Sequence, residues 1–375
     1  MPGPTVDPGA RLLAVSAAGR DLAWAVGEQG LPASGTGGRP LALRWDGAAW
    51  SQTDVKHLSL NGSLRSVSGT SARCAWAVGE DRDGADRLLR WDGTTWRPTE
   101  YPGSEDPATV LTWVATGPDG AVWVAGQHEG LPKLLRRKGG AWAWTPPIPN
   151  ATSATAPWRV RLGGGTDGGV YTVGDDLARW DEAGASADGA SADGGKGKDK
   201  GTAKDKDKDN GVRAEGGWTV LPPVVGIRLG ISDLLPTAAD DIWAVGAAFG
   251  VGGPPGKPPG VVLSHFDGKE WTFVNGDTLP FKIGSLNAIT DSGSSTGSAR
   301  GPGLIGGWDF WDSSSAHYLR WNGTQWAGER GGANGVDAYV RDVASVPGPA
   351  GGAWSVGHSR NTSPDQTQFR IERYG

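Results

Sequence analysis

The residues best suited to chemistry lie in segment 307–312, which alternates indole rings with carboxylates: Trp308, Asp309, Trp311 and Asp312. Indole rings stack on the apolar C–H face of a sugar, and carboxylates accept hydrogen bonds from its hydroxyl rim. Tryptophan is also enriched at the hot spots of protein–protein interfaces. The segment therefore predicts a binding site for either a glycan or a protein.

Four residues elsewhere are predicted to join this segment, because a repeated pattern puts them at the same end of the fold: Phe249, His358, Arg360 and Asn361. Together with the four residues above, they form the predicted ligand-binding set. An alternative is that Trp308 and Trp311 only replace a packing tryptophan that is missing from their own repeat.

Other chemical signals in the sequence are weaker. The acidic stretch at 81–86 imitates the start of a calcium loop, but it lacks the later ligands and the closing glutamate. Nothing in the sequence fixes a second histidine or a carboxylate beside His317 or His358. The sequence therefore predicts no catalytic residue, no metal site and no cofactor, and its single cysteine, Cys74, excludes an internal disulfide.

The elements that position these residues belong to a repeat. A Trp-Ala-Val-Gly pattern recurs in seven copies, of which the sixth is degenerate, at 23–27, 75–79, 122–126, 170–174, 242–246, 303–307 and 353–357. A second pattern, Arg-Trp-Asp-Gly-x-x-Trp, follows most copies and predicts a two-residue hairpin with a type I′ turn at Asp-Gly. Each repeat thus offers four short strands, A to D, with Trp-Ala-Val-Gly on strand B.

Four antiparallel strands repeated about every 50 residues are typical of a β-propeller. The sequence therefore predicts an all-β protein, a single domain over residues 1–375 with seven four-stranded antiparallel blades. The last repeat ends at strand C. The N-terminal segment, around residues 4–6, is predicted to supply the missing outer strand and close the ring, which removes an open sheet edge.

One insertion interrupts the repeat. Residues 183–216, in the C–D turn of blade four, are rich in Lys, Asp and Gly and hold half of the lysines in the chain. Such a segment has little apolar surface to bury, so it is predicted to be disordered. Its functional interpretation is an electrostatic tether for a partner, and the simpler one is a tolerated insertion at a loop tip.

Most of the 20 tryptophans are predicted to be structural, because fifteen recur at fixed places in strands B, C and D. Up-and-down connectivity puts all B–C and D–A loops at one end of the ring, the B–C/D–A face. These loops are long and differ between repeats, and binding function usually lies in loops that vary on a repeated scaffold. The predicted site therefore lies on the B–C/D–A face.

Composition limits the partners. The net charge is −5 and no basic block occurs outside residues 183–216, which argues against a nucleic-acid partner. No run approaches about 18 apolar residues, which argues against membrane insertion. Absence of a signal peptide, a single methionine and few lysines outside the insertion are expected of the mature form of a secreted bacterial protein.

The two repeated patterns resemble those of secreted bacterial seven-bladed β-propellers, including many from actinobacteria. The hairpin at 92–96 also resembles a shortened Asp-box, the Ser-x-Asp-x-Gly-x-Thr-Trp turn of sialidases and photosystem-assembly-factor propellers. These motifs are structural, so the resemblance implies the fold rather than an activity.

Three interpretations of function follow. The sequence favours a non-catalytic, lectin-like module that binds a cell-surface or envelope glycan through the B–C/D–A face, as an adhesin or as the targeting subunit of a secreted assembly. A protein-interaction scaffold that uses the same face or the charged insertion is the second interpretation. A hydrolase or lyase acting at the mouth of the central channel is the third.

Overall fold

The computed structural model describes most of the chain: residues 3–82, 84–149, 157–164, 167–174, 176–182, 214–215, 217–224, 229–248, 259–274, 278–292, 301–332, 337–349, 351–360 and 363–375. The predicted disordered insertion lies outside these residues, apart from the two at 214–215.

Seven antiparallel sheets follow one another along the chain. The first three have four strands each: β1 (Arg11–Gly19), β2 (Leu22–Gln29), β3 (Arg39–Trp45), β4 (Trp50–Gln52); β5 (Leu64–Ser71), β6 (Cys74–Gly79), β7 (Arg87–Trp91), β8 (Trp96–Pro98); β9 (Val110–Thr116), β10 (Val122–His128), β11 (Leu131–Lys138), β12 (Ala141–Trp144). The fourth has five strands: β13 (Arg159–Leu162), β14 (Val170–Val173), β15 (Ala178–Trp180), β16 (Ala214–Glu215), β17 (Trp218–Val220).

The remaining three sheets complete the ring. Blades five and six have four strands each: β18 (Leu229–Ala238), β19 (Asp241–Ala248), β20 (Gly260–Phe266), β21 (Trp271–Phe273); β22 (Gly284–Asp291), β23 (Pro302–Asp309), β24 (His317–Trp321), β25 (Trp326–Arg330). Blade seven comprises β26 (Asp337–Ser345), β27 (Ala353–Arg360) and β28 (Gln368–Tyr374), with a short 3-10 helix (Pro364–Gln366) before β28. The predicted seven-bladed β-propeller is confirmed.

The N-terminal segment packs on blade seven, as predicted, but without pairing as its fourth strand within the described residues. The amide of Ala10 donates to the Thr367 carbonyl at 2.9 Å, and Val6 packs against the same buried cluster as Phe369 and Ile371 of β28. The ring itself closes where β1 packs on β26 and β27. Side-chain burial between the first and last blades thus joins the two ends of the chain.

The C–D turns differ from the predicted two-residue hairpins. In blade one, Trp45 pairs with Trp50, which leaves a four-residue loop between them. Asp46 caps this loop by accepting the amides of residues 48 and 49, both at 2.9 Å, and only Gly47 has a positive φ. The aspartate side chain therefore replaces the second left-handed residue that a type I′ turn requires. Among the C–D turns that the structure describes, that of blade three alone follows the predicted turn, through Gly139 and Gly140.

The repeated tryptophans pack one blade against the next, as predicted. Trp24 on β2 meets the edges of Trp91 and Trp96 in the following blade, at ring-centroid distances of 5.2 and 5.6 Å. Trp354 on β27 contacts Trp45 and Trp50 in the same way across the ring closure, at 5.2 and 5.1 Å. Edge-to-face indole pairs of this kind combine a large buried area with favourable ring geometry.

Six of the seven inner strands carry a β-bulge at the same place, and the glycine of the repeated motif pairs beside it. In blade one, the register of β1 and β2 skips Leu13, and Leu12 pairs with Gly27. A Cβ atom at Gly27 would collide with the Arg11 carbonyl oxygen. The corresponding residues of the other blades are Arg65, Thr112, Trp158, Ser232, Asn287 and Arg341, of which Trp158 directly precedes β13 without a register shift. The bulge brings a backbone carbonyl against the position that follows Trp-Ala-Val, which explains why this position is glycine.

This geometry gives a stability prediction. Gly27→Ala should destabilise the protein by about 1–3 kcal/mol, because the backbone of β1 must move to admit the methyl group. Gly19→Ala is the matched control in the same blade, at the end of β1, since no atom lies within 4 Å of a Cβ placed there. Urea unfolding would measure both, and equal midpoints for the two variants would contradict the proposed role of the glycine.

The side chains at these positions tie neighbouring inner strands together. Four of them donate to a backbone carbonyl in the next blade: Arg65 to Leu111, Thr112 to Pro157, Trp158 to Ile231, and Asn287 to Val340. These bonds satisfy carbonyl groups at the edge that each inner strand presents to the channel.

A buried ion-pair cluster spans the central channel. Arg159 Nη1 donates to Asp342 Oδ1 at 2.9 Å, and Arg161 forms two bonds to Asp233, at 2.7 and 2.5 Å. The Arg159 guanidinium also lies 4.2 Å from the centroid of the Trp113 ring. These five residues come from blades three, four, five and seven, so the cluster joins opposite sides of the ring. We refer to them as the channel cluster.

Candidate functional site

The sixth blade presents an aromatic loop on the B–C/D–A face. Strand β23 ends at Asp309, and the following loop exposes Phe310 and Trp311, whose accessible fractions are 40% and 77%. Asp309 Oδ1 accepts the amide of Trp311 at 3.0 Å, and Ser313 Oγ donates to Asp337 of β26 at 2.5 Å. These bonds hold the loop against blade seven, so that Trp311 projects from a fixed turn.

A row of aromatic rings runs from this loop into blade seven. Trp311 meets Phe310 edge to face at 5.0 Å, and Phe310 meets Trp308 at 5.8 Å. Trp308 then stacks on Tyr339 at 6.0 Å, and Tyr339 stacks on His358 at 5.2 Å. The register of β26 and β27 pairs Tyr339 directly with His358, which explains their contact.

Arginines surround the blade-seven end of this row. His358 is buried, and burial together with the positive charges of Arg341, Arg11 and Arg360 lowers its pKa to about 3. The imidazole is therefore neutral at physiological pH, and its Nδ1 atom has no hydrogen-bond partner. Arg360 is exposed and forms no ion pair with any described residue.

We refer to the following set as the aromatic–arginine patch: Trp308, Phe310, Trp311, Tyr339, Arg341, His358 and Arg360. The structure brings together Trp308, Trp311, His358 and Arg360 from the predicted ligand-binding set. Asp309 lies beside them, at the start of the loop. Phe249 and Asn361 lie outside the described residues.

Asp312, another predicted contact, is engaged within its own blade. Its Oδ1 accepts the Ser314 hydroxyl at 2.8 Å, and its Oδ2 lies 3.1 Å from an Arg330 nitrogen. The hydrogen bond from Ser314 lowers the pKa of the Asp312 carboxyl. Its carbonyl also accepts a bond from His317 Nε2 at 2.6 Å. The observed role of Asp312 is thus to shape the loop that carries Trp311.

Sequence reasoning missed Phe310, Tyr339 and Arg341. Phe310 stands between the two singled-out tryptophans, and this position alone could have identified it. Tyr339 and Arg341 lie on an inner strand, where side chains were expected to form core. The bulge at Arg341 changes which side of the strand its neighbours face, so simple alternation could not show it.

The strand B position of blade six is filled by a residue other than the two site tryptophans. The strand B tryptophan position of blade six, three residues before the glycine of the motif, is occupied by Leu304. Leu304 is buried in a cluster with Tyr318 and Val340. Trp308 comes after that glycine, and Trp311 lies beyond the end of the strand. Neither tryptophan occupies the strand B position, and their role in ligand binding stays a prediction.

Elsewhere on the B–C/D–A face the charged residues pair with one another. Arg11 contacts Glu28 at 2.5 Å, and Arg65 contacts Asp86 at 2.9 Å. Asp81 of the acidic stretch lies 3.4 Å from Arg87, while Asp83 falls outside the described residues. Across the part of the chain that the structure describes, no three His, Cys, Asp or Glu side chains are grouped to hold a metal ion.

The opposite end of the channel is open toward the A–B turns. Beyond the channel cluster, the inner strands enclose a cavity of about 260 Å³, lined partly by the hydroxyl residues Ser16, Ser68, Thr116 and Ser345. It leads to a mouth of about 740 Å³ beside Gly117. The third interpretation places catalysis at a mouth of the central channel and does not specify which end. In the described segments, no helix has the length and apolar character needed to cross a membrane.

Comparison with known proteins shows the fold alone. No protein-family model and no curated protein sequence matches the chain. YCF48 bound to D1 peptide is 11% identical, with a TM-score of 0.57, over 98% of this chain and 94% of that one. A catalytically inactive virginiamycin B lyase from Staphylococcus aureus, with quinupristin, is 11% identical, with a TM-score of 0.52, over 98% and 96%.

Chaetomium thermophilum Sqt1, bound to the N-terminus of ribosomal protein L10, is 12% identical, with a TM-score of 0.51, over 96% of this chain and 86% of that one. The SapL1 lectin in complex with alpha methyl fucoside is 12% identical, with a TM-score of 0.41, over 99% of this chain and 96% of that one.

Proposed function

We propose that the protein is a non-catalytic, lectin-like recognition module that binds a glycan through the aromatic–arginine patch. The observation that carries this proposal is Trp311, whose ring is 77% exposed on a turn fixed by the Asp309 carboxylate. An exposed ring in a fixed orientation loses little freedom when it stacks on a sugar.

Polar groups that face no protein partner complete the site. Arg341 and Arg360 are exposed and form no ion pair with the described residues. Sugar hydroxyls both donate and accept, so a glycan lying on the aromatic row could satisfy these groups.

A protein-interaction scaffold is the second candidate. Exposed tryptophan beside unpaired arginine is the composition of a protein hot spot. Among propellers of the same fold, YCF48 is bound to the D1 peptide and Sqt1 to the N-terminus of L10. A peptide array run beside the glycan array would separate the two candidates, and binding to peptides alone would favour the scaffold.

The state of the channel carboxylates supports binding rather than hydrolysis. Asp233 accepts hydrogen bonds from Arg161 and from the amides of Leu234 and Ile289. Asp342 accepts bonds from Arg159 and from the amide of Val15. Because both carboxylates are engaged, neither is poised as a general acid or base toward a substrate in the channel.

A glycan ligand on a cell surface or envelope requires export, so we propose that the protein works outside the cell. A single such site binds weakly, and several copies presented in one assembly would multiply the affinity. Detection of the protein only in the cytosol after fractionation of its native host would contradict this placement.

Trp311→Ala is the variant that tests the site. The parent should bind at least one glycan on an array, and the variant should lose about tenfold or more in affinity, since an exposed anchoring ring is removed. Phe273→Ala is the matched control, because Phe273 is a 46% exposed aromatic residue on the outer strand of blade five.

Circular dichroism should show the same fold for all three proteins. Equal binding by the parent and Trp311→Ala would move the site to another part of the ring. Absence of binding to any glycan would overturn the lectin-like proposal.

A further inference from the structure

Arg341 is the bulged residue of blade seven, but it does not make the bond that this position makes elsewhere. In four other blades the side chain at this position donates to a carbonyl of the next inner strand, as Arg65 does to Leu111 at 2.9 Å. For Arg341 the corresponding carbonyl belongs to Leu12 of β1, and the structure shows no such bond. The N–H groups of its guanidinium are therefore available to another acceptor.

The carboxylates that could neutralise Arg341 are occupied by other groups. Asp342, its neighbour in sequence, pairs with Arg159 across the channel. Glu28 pairs with Arg11 at 2.5 Å, and Asp337 accepts the Ser313 hydroxyl. Arg341 is accordingly a cation without an ion-pair partner among the described residues.

The guanidinium lies beside the aromatic row. Its Cζ atom is 5.8 Å from the Tyr339 ring centroid, and Tyr339 is the ring that joins Trp308 to His358. The side chain is accessible to solvent, yet the surrounding protein is close enough that burial, with the charge of Arg11, lowers the pKa of Arg341. A charged donor is thus held next to the surface on which a ligand would stack.

From this arrangement we infer that the ligand is an acidic glycan, and that Arg341 binds its carboxylate. The inference rests on the proposed function, because it assigns a charge to the ligand of the same site. A guanidinium presents parallel N–H groups that match the two oxygens of a carboxylate. Arg360 lies close enough to the same rings for its charge to act on His358, and a second cation there also favours an electron-rich group.

The test compares each acid with its own methyl ester, so that only the charge changes. The probes are a galacturonate trisaccharide, sialyllactose and the methyl ester of each, titrated by calorimetry into the parent protein. At least one acid should bind about tenfold to a hundredfold more tightly than its ester, the range expected for a charged hydrogen-bonded pair.

Arg341→Gln should abolish this preference, so that each acid and its ester bind with similar affinity, because the charged donor is lost. Arg341→Lys should keep part of the preference. Arg20→Gln is the control, since Arg20 is an exposed arginine at the A–B turn of blade one, on the opposite face. The Arg341 side chain makes no ion pair or hydrogen bond with the described residues. Its carbonyl, which accepts a bond from Arg159, is kept in both variants, so the variants are expected to fold.

The outcomes separate the two proposals. Acids and esters that bind equally, or a preference that survives Arg341→Gln, would overturn the acidic-glycan inference and leave the glycan site in place. Absence of binding to every sugar, acid or ester, would overturn the proposed function itself. Binding only to peptides with a free terminal carboxylate would overturn both in favour of the scaffold.

Discussion

Asp233→Leu is expected to lower the free energy of unfolding by about 3–5 kcal/mol, the range for breaking a buried ion pair by removing one partner. The substitution leaves Arg161 without its two bonds to Asp233, and Arg159 without one of its two acidic neighbours. It also removes the acceptor of the Ile289 amide, which ties blade five to blade six.

The midpoint of urea unfolding measures this effect, provided that the slope of the transition is unchanged. Lys138→Gln is the control, because it breaks an exposed contact to Glu182 and should cost less than about 1 kcal/mol. Asp233→Asn, which keeps two polar atoms, should fall between them. If Asp233→Leu unfolds at the same urea concentration as the parent, the channel cluster does not hold the ring together.

His358→Phe is expected to flatten the pH dependence of stability on the acid side. The pKa of His358 is lowered to about 3 in the folded protein, from an ordinary value of 6.5. Above pH 6.5 His358 is neutral in both the folded and the unfolded chain, so its stabilising contribution is fully present. Between pH 6.5 and pH 3 the unfolded chain binds a proton at this residue and the folded chain does not, so the free energy of unfolding falls as the pH falls.

The expected loss is about 1.4 kcal/mol for each pH unit below 6.5, or roughly 2 kcal/mol at pH 5. Urea unfolding of the parent and of His358→Phe at pH 8 and pH 5 measures the difference between them. Phenylalanine keeps a flat ring against Tyr339, so the contact on that side is preserved. Parallel pH profiles for the two proteins would show that His358 takes up its proton equally in both states.

The fold could be predicted because each blade repeats the same strand pattern and the same packing residues. Trp24 and Trp354 recur with a period that only a ring of similar sheets explains, and their contacts with the next blade match that expectation. The turns were predicted less well, because Asp46 caps its loop with a side chain where the pattern suggested a backbone conformation.

Part of the candidate site could be predicted because it breaks the repeat. Trp308 and Trp311 stand outside the recurring tryptophan positions, and this irregularity marked them. Arg341 could not be found in this way, because a bulge interrupts the alternation of strand faces. The channel cluster could not be predicted from the sequence either, since Arg159 and Asp342 are 183 residues apart and come into contact only when the ring closes.

The most direct test of the account is the indole region of the proton NMR spectrum during sugar titration. Neutral and acidic mono- and disaccharides, added at millimolar concentration, would be compared on the parent and on Trp311→Phe, which identifies the Trp311 signal by its absence. The account predicts that at least one sugar shifts the Trp311 indole proton and leaves those of the blade-packing tryptophans, such as Trp24, unchanged. A Trp311 signal that no sugar moves, or shifts confined to the packing tryptophans, would contradict it.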